Sequence, residues 1–89
     1  MATKKVAKEQ SLAEVFGMTV RTYREKAGLM QATLAFHVDV SPGYLSQIEC
    51  GKTNITLPIL WSLARTLKMK PSELIKDAEK SFKLEGSDQ

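Results

Sequence analysis

The chain has 89 residues, of which 43% are hydrophobic and 26% charged, a composition typical of one small folded domain rather than a disordered segment. No apolar run approaches the ~18 residues of a membrane span, and the basic N-terminus lacks the apolar stretch of a signal peptide. The single cysteine, Cys50, excludes an internal disulfide and a structural zinc module. We therefore expect a cytoplasmic protein that does not contact a membrane.

The net charge of +3 is distributed unevenly along the chain. Residues 1–30 hold six basic and three acidic side chains, whereas residues 31–56 hold only Lys52 against Asp39 and Glu49. A pI near 9.1 permits a nucleic-acid partner without identifying one, because many small domains are mildly basic.

The first helical pattern begins after Ser11, which has Glu14 three residues on, the spacing of a capping box. Gly28 is expected to end this helix as its C′ residue. The side chains predicted to face the core recur three to four residues apart: Leu12, Val15, Phe16, Val20, Tyr23 and Ala27.

Four further helical patterns follow, and no strand alternation competes with them. The second spans residues 31–38. The third begins after Ser41 with Pro42 in its first position and stops at Gly51. A loop over residues 52–55 leads to a fourth helix capped by Thr56, and the fifth opens at Pro71. The apolar residues expected to point inward are Leu34, Ala35, Val38, Leu45, Ile48, Leu57, Leu60, Leu63, Ala64 and Leu67. We predict an all-α, five-helix domain over residues 11–84, with a flexible tail at 1–10 and a polar tail at 85–89.

The last helix carries more apolar surface than so short an element needs, in Leu74, Ile75, Phe82 and Leu84. Because a small helical domain buries a limited core, self-association through these residues would add buried area. We therefore expect a homodimer through this helix. The alternative is that the same side chains simply close the core of the monomer.

The second and third helices are separated by Asp39-Val40-Ser41, the spacing of a helix-turn-helix. The small side chain of Ala35 permits a tight crossing of the two helices. The segment 31–49, with its string Ser-Pro-Gly-Tyr-Leu-Ser-Gln-Ile-Glu at 41–49, resembles the Cro/repressor-type (XRE-like) family of DNA-binding domains, and the resemblance covers about residues 17–76. It implies a lambda-repressor-like fold. It also implies a sequence-specific regulator of transcription, a repressor or autoregulator, that binds a pseudo-palindromic operator in double-stranded DNA as a homodimer without a cofactor.

The resemblance also assigns residues. The third helix would read bases in the major groove through Pro42, Gly43, Ser46 and Gln47. The DNA backbone would be contacted by Gln31, Tyr44 and Lys52, and less surely by Thr53 and Asn54. Only Gln47 has a bidentate side chain, so a larger share of specificity is expected from backbone contacts and DNA shape. The alternatives are a half-buried packing role for Tyr44 and a solvated loop position for Lys52.

Arg24 and Glu49 match a pair that, in the family, bridges the first helix to the recognition helix and orients it through a charge-assisted bond. We expect Arg24→Ala to weaken DNA binding more than folding. The alternative is two unrelated surface charges that contribute little to stability.

The chain departs from the family pattern at five positions, one of which is Thr33, where the family usually has a Glu three residues after the cap. Met30 stands where a Ser or Thr cap is usual, and a thioether does not replace the hydroxyl acceptor that caps orphan amides. Asp39 replaces a turn glycine and is expected in a left-handed conformation. Lys68 and Lys70 replace a glycine stop and a serine cap.

No residue pattern indicates a metal site or catalysis. His37 has no partner at ligand spacing, Cys50 is a lone cysteine of the kind that is more often inert, and Trp61 is expected to pack in or beside the fourth helix or to anchor a dimer. We therefore expect no enzyme activity and no metal. The rival interpretation is a protein-interaction module, such as an antitoxin. The family includes both stand-alone controllers of restriction–modification systems and antitoxins, and the sequence leaves both open.

Overall fold

The computed structural model describes residues 10–82, which form five α-helices and no strand. The helices are α1 (Leu12–Lys26), α2 (Gln31–Val38), α3 (Pro42–Glu49), α4 (Leu57–Thr66) and α5 (Pro71–Ser81). The all-α, five-helix prediction is thereby confirmed. Most of the predicted N-terminal tail, Leu84 and the predicted tail at 85–89 lie outside the described residues.

Local signals at the helix starts act as the sequence indicates. The Ser11 hydroxyl accepts a hydrogen bond from the Glu14 amide at 3.1 Å, and the Glu14 carboxylate accepts one from the Ser11 amide at 2.9 Å. Ser41 caps α3 through the Tyr44 amide at 3.0 Å. Met30, at the start of α2, makes no side-chain cap, so the missing cap predicted for this helix is confirmed.

A residue in the left-handed backbone conformation follows each of α1, α2 and α4. Gly28 follows α1 with φ of 73°, a conformation that glycine adopts without steric cost. Asp39 and Lys68 take the same conformation with φ of 62° and 61°, and each carries the steric cost of a Cβ there. The conformation predicted for Asp39 is therefore confirmed.

The core lies where all five helices meet. Helix α1 packs on α3 and α5, α2 packs on α3 and α4, and α4 packs on α5. The buried cluster consists of Phe16, Val20, Leu34, Ala35, Val38, Leu45, Ile48, Leu60, Leu63, Ala64, Leu74 and Ala78. Truncating one of its large aliphatic side chains to alanine is expected to cost about 2–5 kcal/mol. Helix α3 thus has a defined orientation because its inner face is part of this cluster.

Several residues predicted to face the core do not. Leu12 and Leu57 are 56% and 68% exposed, because each begins its helix and overhangs the core. Ala27 is exposed because it follows the last residue of α1. Leu74, which was predicted to lie in a dimer interface, is instead completely buried in the monomer. The alternative considered above, closure of the monomer core, therefore applies to Leu74, which has no surface to offer a second copy.

Candidate DNA-binding surface

The outer face of α3 presents the residues predicted to read DNA bases. Leu45, Ile48 and Glu49 are buried on the inner side of the helix. Positions 42, 43, 46 and 47 recur at the helical period on the opposite side, where residues 42, 43 and 47 are exposed and residue 46 is half-buried. The structure therefore brings the four predicted residues together on one accessible face, and base contact by them stays a prediction.

This face is small in profile and low in charge. A Cβ built on Gly43 meets no atom within 4 Å, so a flat ligand surface has close access to the backbone there. Gln47 carries a bidentate amide, which matches the donor and acceptor pair on the major-groove edge of adenine. The face can thus make one bidentate contact and close van der Waals approach.

The residues predicted to contact the DNA backbone differ in how exposed they are. Gln31 is half-buried at the first position of α2, and Lys52 is exposed after α3. Tyr44 is half-buried and packs against the core cluster, which accords with the packing alternative for its ring. Thr53 and Asn54 line an apolar groove described below, so their assignment to DNA stays the weakest of the five.

Arg24 and Glu49 form a buried ion pair between α1 and α3. Glu49 Oε2 accepts from Arg24 Nε at 2.7 Å, and Oε1 accepts from Arg24 Nη2 at 3.1 Å. The side chains are 11% and 3% exposed, so the alternative of two unrelated surface charges is wrong. The hydrogen bond to Glu49 raises the pKa of the Arg24 guanidinium above its usual value, against the opposing effect of burial. Arg24 Nη1 also donates to the carbonyl oxygen of Leu29 at 2.8 Å, which ties in the loop before α2.

Gln31 completes this network, a role that the sequence did not indicate. Its Nε2 donates to Glu49 Oε1 at 2.9 Å, so one carboxylate holds both the start of α2 and the side of α1. The second Nε2 hydrogen and the amide oxygen of Gln31 remain available to other groups. The amide that resembles the family's phosphate contact is therefore held in place by the residue that orients α3.

Gly17 is a second residue that sequence reasoning missed. A Cβ at this position would lie 2.2 Å from the carbonyl oxygen of Ile48 and 2.6 Å from that of Glu49. The absence of a side chain lets the end of α3 approach the middle of α1. A glycine inside an otherwise regular amphipathic helix was the available signal, since such a glycine usually has a packing reason.

An apolar groove runs between the N-terminal part of α1, the loop before α4, and α5, with a volume of about 590 Å³. We call it the apolar groove; its main apolar lining is Leu12, Phe16, Ile55, Leu57, Leu60, Ile75 and Phe82. Ile75 is 44% exposed, and Trp61 beside it on α4 is 52% exposed. Two of the residues predicted for a dimer interface, Ile75 and Phe82, therefore lie in the groove. Leu74 does not, and Leu84 is outside the described residues.

Other singled-out side chains form no site in the described part of the chain. His37 is exposed and contacts the Phe36 ring edge-on, with 5.6 Å between ring centres. Cys50 is a free, exposed thiol at the end of α3. Within residues 10–82 no cluster of His, Cys, Asp and Glu has the composition of a metal site. No helix among these residues has the length and apolarity to cross a membrane.

Comparison with known proteins agrees with this geometry. A family model described as helix-turn-helix matches residues 20–74. The control protein C.BamHI of Bacillus amyloliquefaciens is 34% identical over 62 residues, which are 68% of this chain and 76% of that protein. The crystal structure of the clp gene regulator ClgR from Corynebacterium glutamicum superposes with a TM-score of 0.79 and 32% identity, covering 82% of this chain and 78% of ClgR.

The restriction-modification controller protein C.AhdI from Aeromonas hydrophila superposes with a TM-score of 0.68 and 35% identity, covering 70% of this chain and 94% of C.AhdI. The family match spans α2, the turn and α3, where the base-reading and backbone residues were predicted. Since that match covers more than half of the chain, the protein belongs to the helix-turn-helix family of Cro/repressor-type proteins that its sequence resembles.

Proposed function

We propose that this protein is a sequence-specific DNA-binding regulator of transcription, a repressor or autoregulator, that inserts α3 into the major groove. The observation that carries the proposal is the accessible outer face of α3, with Gln47 and Gly43 on it, held rigid by the buried Arg24–Glu49 pair. Its relatives are a control protein, a gene regulator and a restriction-modification controller. In this proposal the regulator acts in the cytoplasm and needs no catalytic group or cofactor.

The proposal includes a homodimer built on the apolar groove. The exposed side chains of Ile75, Leu57 and Trp61 and the half-buried ring of Phe82 provide an apolar surface that a second copy would cover by two-fold symmetry. Two copies of α3 would then address half-sites about one helical turn, roughly 34 Å, apart. Sequence would be read over both half-sites, which suits a pseudo-palindromic operator.

Few positive charges surround α3, so affinity should depend only modestly on salt. From residue 27 to residue 56 the only Lys or Arg is Lys52. Each phosphate neutralised by a Lys or Arg contributes about 0.9 to the slope of log K against log salt. Polar and helix-terminal contacts to phosphate, such as those from Gln31, add to positioning with less dependence on salt.

The first experiment is selection of bound duplexes from a random DNA pool, with the affinity of selected and scrambled duplexes compared at two salt concentrations. A palindromic consensus bound about 10³-fold or more tightly than scrambled DNA supports the proposal. Weak binding that is equal for every sequence and lost with salt contradicts it.

Three variants then test the assigned residues. Gln47→Ala should lose about 1–3 kcal/mol of discrimination at one base pair of each half-site. Lys52→Ala should weaken binding to all sequences alike and lower the salt slope by about 1 per subunit. Lys68→Gly is the matched control: it removes the same charge from a left-handed position outside the predicted surface and should change neither quantity appreciably.

A second candidate function, a protein-interaction module such as an antitoxin, has one observation in its favour. The apolar groove could be covered by a different protein as well as by a second copy of this chain, because its apolar lining suits either. A monomer in sedimentation experiments, together with non-specific DNA binding, would favour this candidate.

A further inference from the structure

A polar contact joins α1 to α5 outside the core and outside the candidate DNA surface. The Tyr23 hydroxyl, on α1, donates a hydrogen bond to Asp77 Oδ2, on α5. Lys80 Nζ lies 3.7 Å from the other carboxylate oxygen of Asp77, and Lys26 Nζ lies 5.4 Å from the centre of the Tyr23 ring. Within residues 10–82 this is the only side-chain hydrogen bond between the two helices.

Tyr23 is the sequence neighbour of Arg24, which binds Glu49 on α3. Consecutive residues of one helix therefore hold the recognition helix on one side and the last helix on the other. Apolar packing of Leu74 and Ala78 places α5 against the core and sets its approximate crossing angle. Hydrogen bonds depend more on angle than apolar contacts do, so Tyr23 and Arg24 narrow the range of orientations that packing allows to α5 and α3 on α1.

We propose that the Tyr23–Asp77 hydrogen bond is a positioning contact that fixes the tilt of α5 and thereby determines which half-site spacing the dimer accepts. The proposal rests on the proposed function, in which α5 carries part of the dimer interface through Ile75 and Phe82. Any tilt of α5 against α1 then changes the separation of the two copies of α3. Tyr23 and Asp77 touch no DNA and act through the placement of α3.

The size of the effect follows from the dimensions of the protein. We take roughly 20 Å, slightly less than the shorter extents of 25 and 22 Å, as the distance from α5 to the reading face. A tilt of about 10° over this distance moves the reading face by about 3.5 Å, close to the 3.4 Å rise of one base pair. One base pair is also the smallest error in spacing that an operator can present. A contact that limits such a tilt therefore narrows the range of spacings at which both copies of α3 reach their half-sites.

The test measures the affinity of the full-length protein for the selected operator and for versions with one base pair inserted or deleted between the half-sites. For the unmodified protein, a change of one base pair should cost about 100-fold, because the second half-site is no longer engaged simultaneously. Tyr23→Phe keeps the packed ring and removes the hydroxyl. It should reduce this penalty to about tenfold or less.

Two variants of Asp77 and one control distinguish positioning from loss of stability. Asp77→Asn retains an oxygen that accepts from Tyr23 and should keep the spacing penalty, whereas Asp77→Ala should lose it as Tyr23→Phe does. Thr22→Val removes a hydroxyl whose only bond, at 2.9 Å, is to the Met18 carbonyl within α1, and it should keep the penalty. A merely destabilised protein would bind all three spacings more weakly by one common factor.

The outcomes separate the two proposals. Equal spacing penalties in Tyr23→Phe and the unmodified protein overturn the positioning role and leave the regulator intact. A spacing penalty that falls in Tyr23→Phe and Asp77→Ala but persists in Asp77→Asn and Thr22→Val supports it. Absence of any sequence-specific binding by the unmodified protein overturns the proposed function and, with it, the positioning role.

Discussion

Replacing Arg24 by alanine should destabilise the fold as well as weaken DNA binding. A surface interpretation of the Arg24–Glu49 pair predicts mainly a binding defect, because exposed pairs contribute about 0–1 kcal/mol. In the structure the Glu49 side chain is 3% exposed and accepts hydrogen bonds at 2.7 and 3.1 Å from Arg24 and at 2.9 Å from Gln31. Burial therefore changes the expected result.

Arg24→Ala leaves the Glu49 carboxylate in the interior with a single neutral donor. Breaking a buried pair by removing one partner costs about 3–5 kcal/mol, since the remaining charge is not compensated. A small domain has about 5–15 kcal/mol of stability, so this is a large fraction of the total. At about 4–8 °C per kcal/mol for a domain of this size, the melting temperature should fall by at least about 12 °C.

The double variant Arg24→Met/Glu49→Leu separates stability from orientation. Replacing both members of a buried pair by apolar side chains of similar volume is often neutral or stabilising. We expect its unfolding free energy to lie within about 1.5 kcal/mol of the unmodified value, because volume-conserving apolar replacements are tolerated. Its affinity for the selected operator should nevertheless fall, because no directional bond then orients α3 on α1.

Urea unfolding followed by circular dichroism gives the free energies, and titration of a labelled operator gives the affinities. A loss of less than about 1 kcal/mol in Arg24→Ala would refute the reasoning, since that is the range of an exposed pair. Full operator affinity in the folded double variant would refute the orienting role in the same way.

Three further changes have definite expected results. Met30→Ser should raise the free energy of unfolding by about 1 kcal/mol by capping α2, whereas Met30→Ala should not; an equal melting temperature for the two would contradict the capping argument. Gly17→Ala should lower the free energy of unfolding by about 1–3 kcal/mol, because the new Cβ would overlap the backbone of α3. Gly43→Ala is the control: open space surrounds this position, so the variant should unfold like the unmodified protein and change DNA affinity alone. Similar unfolding curves for the two variants would show that the close approach at Gly17 is not required. The hydrogen bond to Asp77 raises the pKa of Tyr23 above its usual value near 10, so the folded state holds this proton more tightly than the unfolded state. The free energy of unfolding should therefore decline as the pH rises above 10 through the raised pKa. A decline of the same size in Tyr23→Phe, measured by urea unfolding between pH 9 and 11, would assign it to other groups.

The sequence alone determined the helical architecture and the positions where helices begin and end. The period of the apolar residues, the Ser11–Glu14 capping box and the prolines at the first positions of α3 and α5 are local signals, so they do not depend on the rest of the fold. The four candidate base-reading positions also follow locally, because residues 42, 43, 46 and 47 share a face of any α-helix. The missing cap at Met30 and the left-handed Asp39 were predicted from single side chains for the same reason.

Only the tertiary structure decided which contacts connect distant segments. The exposure of Leu12 and Leu57 and the burial of Leu74 depend on where the helices overhang or cover one another, which periodicity does not encode. The burial of the Arg24–Glu49 pair decides whether its contribution is negligible or several kcal/mol. Gln31 on Glu49 and Tyr23 on Asp77 join residues 18 and 54 positions apart, so their pairing arises from packing rather than from any local pattern.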